Sequence, residues 1–136
     1  LAIILISGCT AMGYSPGTLG SVAIYELNCS EDHVESKLDE LLETKEFKTS
    51  LQDTNVVEWW KSAGYDFLNY RCINIWKNLY MVTMSAENST ETHISIRSFY
   101  DRRKKEWIFA AEFNPKSIRK AETAMKYLSE QMNDCK

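Results

Sequence analysis

The side chains able to do covalent or metal chemistry are few: Cys9, Cys29, Cys72, Cys135, His33 and His93. Their spacing is uninformative. The sequence has no Cys-x-x-Cys and no Cys/His pair at structural-zinc spacing, and the two histidines lie far apart. Gly-x-Ser-x-Gly, His-Glu-x-x-His and a phosphate-cradling glycine-rich loop are all missing, and glycine is only 5 residues of 136. Glu31, Asp32 and His33 cluster where a helix should start, and capping with the helix dipole accounts for them. The expectation is a protein that is not an enzyme and takes no cofactor and no metal. An enzyme would need distant residues to converge, such as His93 with a carboxylate.

Cys9 has a different context. The residues before it, Leu-Ala-Ile-Ile-Leu-Ile-Ser-Gly, carry no charge. They are too few to span a bilayer as a helix, which needs ~20 apolar residues. Ile6-Ser7-Gly8-Cys9 resembles a lipobox, the processing motif of bacterial lipoproteins. A bulky aliphatic residue precedes two small ones, and a thiol follows to receive the lipid. The resemblance implies that residues 1–8 end a signal peptide and that Cys9 becomes an acylated N-terminus. Two or more acyl chains anchor a protein stably. Thr10 stands where the family's inner-membrane retention signal has Asp, so the implied place is the outer membrane, facing the periplasm. Residues 9–18 then form a lipidated tether, and residues 19–136 a single domain. With Cys9 assigned to lipid, Cys29, Cys72 and Cys135 remain. One disulfide with one leftover thiol and three buried thiols are both open.

Aromatic residues make 12% of the chain. Trp59 and Trp60 are adjacent, with Tyr65, Phe67 and Tyr70 close behind in the least regular segment. Trp, Tyr and Arg dominate interface energetics. The basic run Arg102-Arg103-Lys104-Lys105 forms an expected hairpin tip, able to meet an anionic headgroup or an acidic partner. Trp59, Trp60, Tyr65, Arg102 and Arg103 are therefore the candidate partner-binding residues, with the exposed sheet face as a second surface. A net charge of −3 argues against a nucleic-acid binder, which needs surplus Lys and Arg. The expected function is a non-enzymatic envelope lipoprotein that holds a protein partner, of the immunity type or an envelope accessory. The alternative is a carrier of a small apolar ligand between sheet and C-terminal helix, with Met81, Met84, Met125 and Met132 as pocket wall or core.

The elements that must position these residues read as follows. Residues 19–28 alternate as a strand. Ser30 caps a helix whose apolar face is Val34, Leu38, Leu41 and Leu42; residues 45–51 extend it or form a second. Residues 56–64 make a helical turn or an irregular connection. Strands are expected at 67–76, 79–86, 91–100 and 106–113, with turns at Lys77-Asn78, residues 87–89 and residues 101–105. Thr92, Ile94, Ile96 and Ser98 share one face, and Trp107, Phe109, Ala111 and Phe113 another. Asn114 and Pro115 open a final helix with Ile118, Ala121, Met125, Leu128 and Met132 on its apolar side. The order is β-α-(α)-β-β-β-β-α. The fold class is α+β: an antiparallel sheet of about five strands with helices on one face. This element order resembles TBP-like and reduced helix-grip folds.

Overall fold

The computed structural model describes residues 20–48 and 69–135. The elements are β1 (Val22–Leu27), α1 (Glu31–Leu42), β2 (Asn69–Ile75), β3 (Asn78–Asn88), β4 (Glu91–Asp101), β5 (Glu106–Phe109) and α2 (Pro115–Glu130). All five strands form one antiparallel sheet in the order β1-β4-β3-β2, with β5 also paired to β4. The fold is α+β, with both helices packed on one sheet face. Leu38, Met125 and Leu128 share a single core cluster with Ile73, Val82, Ile94 and Ile96.

Both helix starts follow their caps. Ser30 accepts from the backbone N–H of His33 at 3.2 Å, and Asn114 accepts from that of Ser117 at 2.8 Å. Each side chain satisfies one of the orphan donors of a helix N-terminus. The apolar faces also match the sequence. Val34 and Leu38 are buried on α1, and Ala121, Ala124, Met125 and Leu128 on α2. The far side of α1 is fastened by polar groups. Glu31, Glu35 and Asp39 recur at four-residue steps and meet β2. Asn69 donates to Glu31 at 2.9 Å and to Glu35 at 2.7 Å, and Arg71 donates to Asp39 at 2.7 Å. That hydrogen bond raises the pKa of Arg71 above its ordinary value, against the lowering effect of burial.

β4 organises the sheet. One edge pairs along β3. The other edge is divided between β1, which takes Thr92 to Ile96, and β5, which takes Ser98 to Asp101. Arg97 sits at the seam. Val82 pairs with Ile96 and Met81 with Ser98, so Arg97 is an extra residue, a β-bulge. Its guanidinium donates to the carbonyl of Gly20 at 3.1 Å, holding the chain as it enters β1.

This seam corrects two expectations. Thr92, Ile94 and Ile96 share the helix side, but Ser98 does not join them. The bulge shifts the alternation, so Phe99 opposes Tyr80 and packs on the core, while Ser98 opposes Met81 on the other side. Likewise Trp107, Phe109, Ala111 and Phe113 do not line one strand face. β5 stops at Phe109 because β1 already occupies the edge beyond Ser98. Ala110–Glu112 turns as a 3₁₀ helix, leaving Ala111 exposed. A third difference is small. The β2–β3 turn is Trp76-Lys77 and not Lys77-Asn78, since Ile75 pairs with Asn78.

The sheet face away from the helices is not an open surface along β3. Leu79, Met81 and Thr83 are buried there. Thr83 and Ser95 share a hydroxyl hydrogen bond across strands at 3.1 Å. Met84, Met125 and Met132 lie within the helix-side core.

The last residues return to the first strand. Cys135 is disulfide-bonded to Cys29, with Cα atoms 5.2 Å apart and a sequence separation of 106. Cys72 is buried and lies outside this disulfide. Of the two alternatives open in the sequence, one bridge with one leftover thiol is the one observed. Closing so long a loop restricts the unfolded chain strongly. Replacing Cys29 and Cys135 together by Ser is expected to lower stability by about 2–4 kcal/mol, read as a lower urea midpoint; an unchanged midpoint would show that the bridge contributes nothing.

Candidate functional site

The most exposed large aromatic among the described residues sits on a hairpin turn. Trp76 and Lys77 both have positive φ, 51° and 70°. A two-residue hairpin of the favoured twist requires this, and Asn-Gly usually supplies it. Neither residue here does so without cost; each such position carries of order 1–3 kcal/mol of strain, kept only where the surroundings enforce it. Two contacts enforce it. The carbonyl of Lys77 accepts from the Arg102 guanidinium at 2.5 Å. The Trp76 ring lies 4.8 Å from that of Tyr127. Tyr127 in turn stacks on buried Phe47 at 6.0 Å and donates its hydroxyl to Glu46. Trp76 is thus held at its inner edge, while 50% of its surface stays exposed.

α2 forms the opposite wall. Its core side is Ala121, Ala124, Met125 and Leu128, so Lys116, Arg119, Lys120 and Thr123 fall on the outward side. Together with Trp76, Asn78 and Tyr80 they line a cleft of about 360 Å³. Burial raises the Tyr80 phenol above its usual pKa, so it stays neutral. Among the described residues, Lys116, Arg119 and Lys120 make no ion pair. The cleft therefore offers an exposed indole, an amide, a neutral phenol and three cations with no ion-pair partner among the described residues. Such a set recognises a carboxylate-bearing or otherwise anionic group beside an apolar one.

His93 does have acidic neighbours. Nε2 lies 3.1 Å from Glu26 and Nδ1 3.2 Å from Glu87. These contacts tie β1, β4 and β3 together. Both ring nitrogens lie within hydrogen-bonding distance of a carboxylate. The arrangement is a cross-strand clamp.

A second cluster was not legible in the sequence. Cys29, His33 and Cys135 bring one ligand-type atom each to within 4.8 Å of one another. His33 Nε2 is 3.0 Å from Asp134. That bond holds the Asp134 carboxyl below the ordinary range, and Lys37 at 3.6 Å adds to this. Ser30 and the cap geometry place His33 one turn from Cys29. The partner Cys135 is remote in sequence, which is why spacing alone could not reveal the group.

Of the sequence-derived binding residues, Arg102 reaches the Trp76 turn. Arg103 is exposed at the neighbouring hairpin tip, where Asp101 accepts from the backbone N–H groups of Arg103 and Lys104. These bonds, that of Lys104 foremost, lower the pKa of Asp101. Trp59, Trp60, Tyr65 and Cys9 lie outside the described residues. Trp76 was read as the end of a strand. Its place beside a turn residue was the one local sign of exposure.

Tyr127 gives a direct test of the aromatic anchor. Its hydrogen bond to Glu46 raises its pKa, with desolvation adding to the effect. A phenol with a raised folded pKa contributes stability below its unfolded value, near ~10, and loses it as pH rises through the folded value. Alkaline ultraviolet titration should show Tyr80 and Tyr127 ionising late, and Glu46→Gln should bring one of the two back toward the ordinary value. An unaltered titration in that variant would sever the link between Tyr127 and Glu46.

Comparison with protein-family models, curated proteins and solved structures finds no match to this chain.

Proposed function

We propose that this protein is a non-enzymatic lipoprotein of the bacterial cell envelope that binds an acidic protein partner in the cleft between Trp76 and α2. The anchor is lipid on Cys9, in the lipobox-like Ile6-Ser7-Gly8-Cys9, with the outer membrane, periplasmic side, as its place. No helix among the described residues is long and apolar enough to cross a membrane. The observation that carries the binding reading is the half-exposed Trp76, fixed by Tyr127 and faced by Lys116, Arg119 and Lys120 without acidic partners among the described residues.

A pre-positioned Trp loses little entropy on binding and can insert an apolar surface into a partner. Surrounding cations then select a partner whose rim is acidic and speed the encounter. An immunity-type protein that neutralises a secreted toxin fits this pattern, as does an envelope accessory protein. The carrier alternative finds less support, since Met84, Met125 and Met132 are core members and Lys116, Arg119 and Lys120 sit in the wall of the cleft.

Two experiments test the parts separately. Mass spectrometry of the protein from its native membrane should show acyl mass on Cys9, and Cys9→Ser should move it to the soluble fraction. Affinity capture from the native envelope should recover a partner with wild type. Trp76→Ala should lose it by roughly 30-fold or more, as a hot-spot loss of about 2 kcal/mol implies. Binding should also weaken with added salt. Undiminished capture by Trp76→Ala would remove the cleft as the docking site. Equal binding of both proteins to anionic lipid vesicles, with no protein recovered, would assign the cations to the membrane.

A further inference from the structure

The corner formed by Cys29, His33, Asp134 and Cys135 stands apart from the cleft and is independent of the reading above. We propose that, once its disulfide is reduced, this corner is a binding site for a zinc-like divalent metal ion, with Cys29 Sγ, Cys135 Sγ and a His33 ring nitrogen as ligands.

The geometry suits such an ion. A tetrahedral zinc has Zn–S near ~2.3 Å and Zn–N near ~2.0 Å, which holds its ligand atoms roughly 3.3–3.8 Å apart. The three atoms here already lie within 4.8 Å of one another. His33 has its Nε2 against Asp134 at 3.0 Å. A carboxylate on the far nitrogen is what orients a ligating imidazole and raises its donor strength. The imidazole offers a ring nitrogen within 4.8 Å of both sulfurs. Three protein ligands leave the fourth tetrahedral position to water.

The backbone frame of the site does not depend on the sulfur–sulfur bond. The Cys29 carbonyl accepts from the Thr92 hydroxyl at 2.8 Å. The Cys135 carbonyl accepts from the Asn28 N–H at 2.6 Å, and the Cys135 N–H donates to Met132 at 2.9 Å. Cys135 is fully buried and Cys29 partly so, while His33 is exposed and admits the ion. Opening the disulfide therefore leaves both thiols in place beside the imidazole.

The chemistry balances as two steps. A dithiol reductant supplies two electrons and two protons, opening the Cys29–Cys135 bond to two thiols and leaving as its own disulfide. The metal ion then displaces both thiol protons to solvent and binds two thiolates, whose charge cancels its own. Disulfide and metal are thus alternative staples for the same two chain segments.

The test uses the full chain, reduced by a dithiol that is then removed without oxygen, with cobalt(II) as spectroscopic probe and zinc as competitor. The expected result is one cobalt per chain with a thiolate-to-metal charge-transfer band, displaced by zinc. The oxidised protein should show no such band. His33→Ala should keep the disulfide, read as a matching thiol count, yet bind cobalt at least about 10-fold more weakly after reduction. Asp134→Asn should weaken it by about 10-fold or more, as outer-shell partners do. Zinc should also restore the melting temperature lost on reduction. A reduced protein that binds no more cobalt than Cys29→Ser/Cys135→Ser overturns the proposal. So does full cobalt affinity in His33→Ala. If reduction unfolds the chain, failure of zinc to refold it counts equally against the site.

Discussion

A strand edge can satisfy one hydrogen-bonding partner at each position, and the outer edge of β4 has two claimants. β1 takes the stretch up to Ile96 and β5 begins at Ser98. Arg97 absorbs the handover as a bulge and pins the Gly20 carbonyl. Much of the remaining architecture depends on this division. β5 has only four residues of edge to pair with, so the chain turns away at Ala110. Pro115 then starts α2, which packs mainly along β1. The outward side of that helix is what brings Lys116, Arg119 and Lys120 opposite Trp76. A longer β5 would have delayed the helix and separated the two walls of the cleft.

The two ends of the domain are then joined where α2 runs out. The 3₁₀ turn Asn133–Cys135 lays Cys135 beside Cys29 and Asp134 beside His33. Asn28 donates to the Cys135 carbonyl in the same place. Covalent, ionic and backbone bonds here act on the same two segments, so their contributions are coupled and cannot be added. The bridge joins residues 106 apart in sequence. It limits the unfolded ensemble most where local contacts limit it least.

Local rules made much of this legible in advance. Ser30 and Asn114 act through their own side chains on the next turn, so composition and order sufficed. Period-2 alternation placed Ile94 and Ile96 correctly. It failed at Ser98 because a bulge is decided by which strand lies opposite, and that is tertiary information. The same holds for Phe113, which contacts Phe99 edge-on at 5.1 Å after a turn that no window over 106–113 displays. The site was the least legible part. Arg102 was singled out for its charge. Its role depends on a bond to the Lys77 carbonyl 25 residues away. Trp76 read as strand because tryptophan favours strands; only the partner register forces it into a turn. Cys29 and Cys135 could not be paired by spacing, since any pairing of distant cysteines is set by the completed fold.

The charges make a similar point about averages. A net charge of −3 describes no surface of this protein. Three carboxylates of α1 are tied to β2: Glu31, Glu35 and Asp39 meet Asn69 and Arg71. Those bonds set the helix on β2, with Arg71 the one cation among them. The cations of α2 have no such counterpart among the described residues, although Glu122 and Glu130 lie on the same helix. An exposed ion pair contributes little to stability, so folding alone gives no reason to compensate them. It equally gives no reason to gather three of them around an exposed tryptophan held in a strained turn. The strain at Trp76 and Lys77 would be relieved by Asn-Gly, the ordinary solution. Keeping a bulky ring there sacrifices backbone comfort to hold an aromatic surface in the open. Under the function proposed above, that ring is the surface a partner would meet, and the backbone cost at the turn is what holds it there.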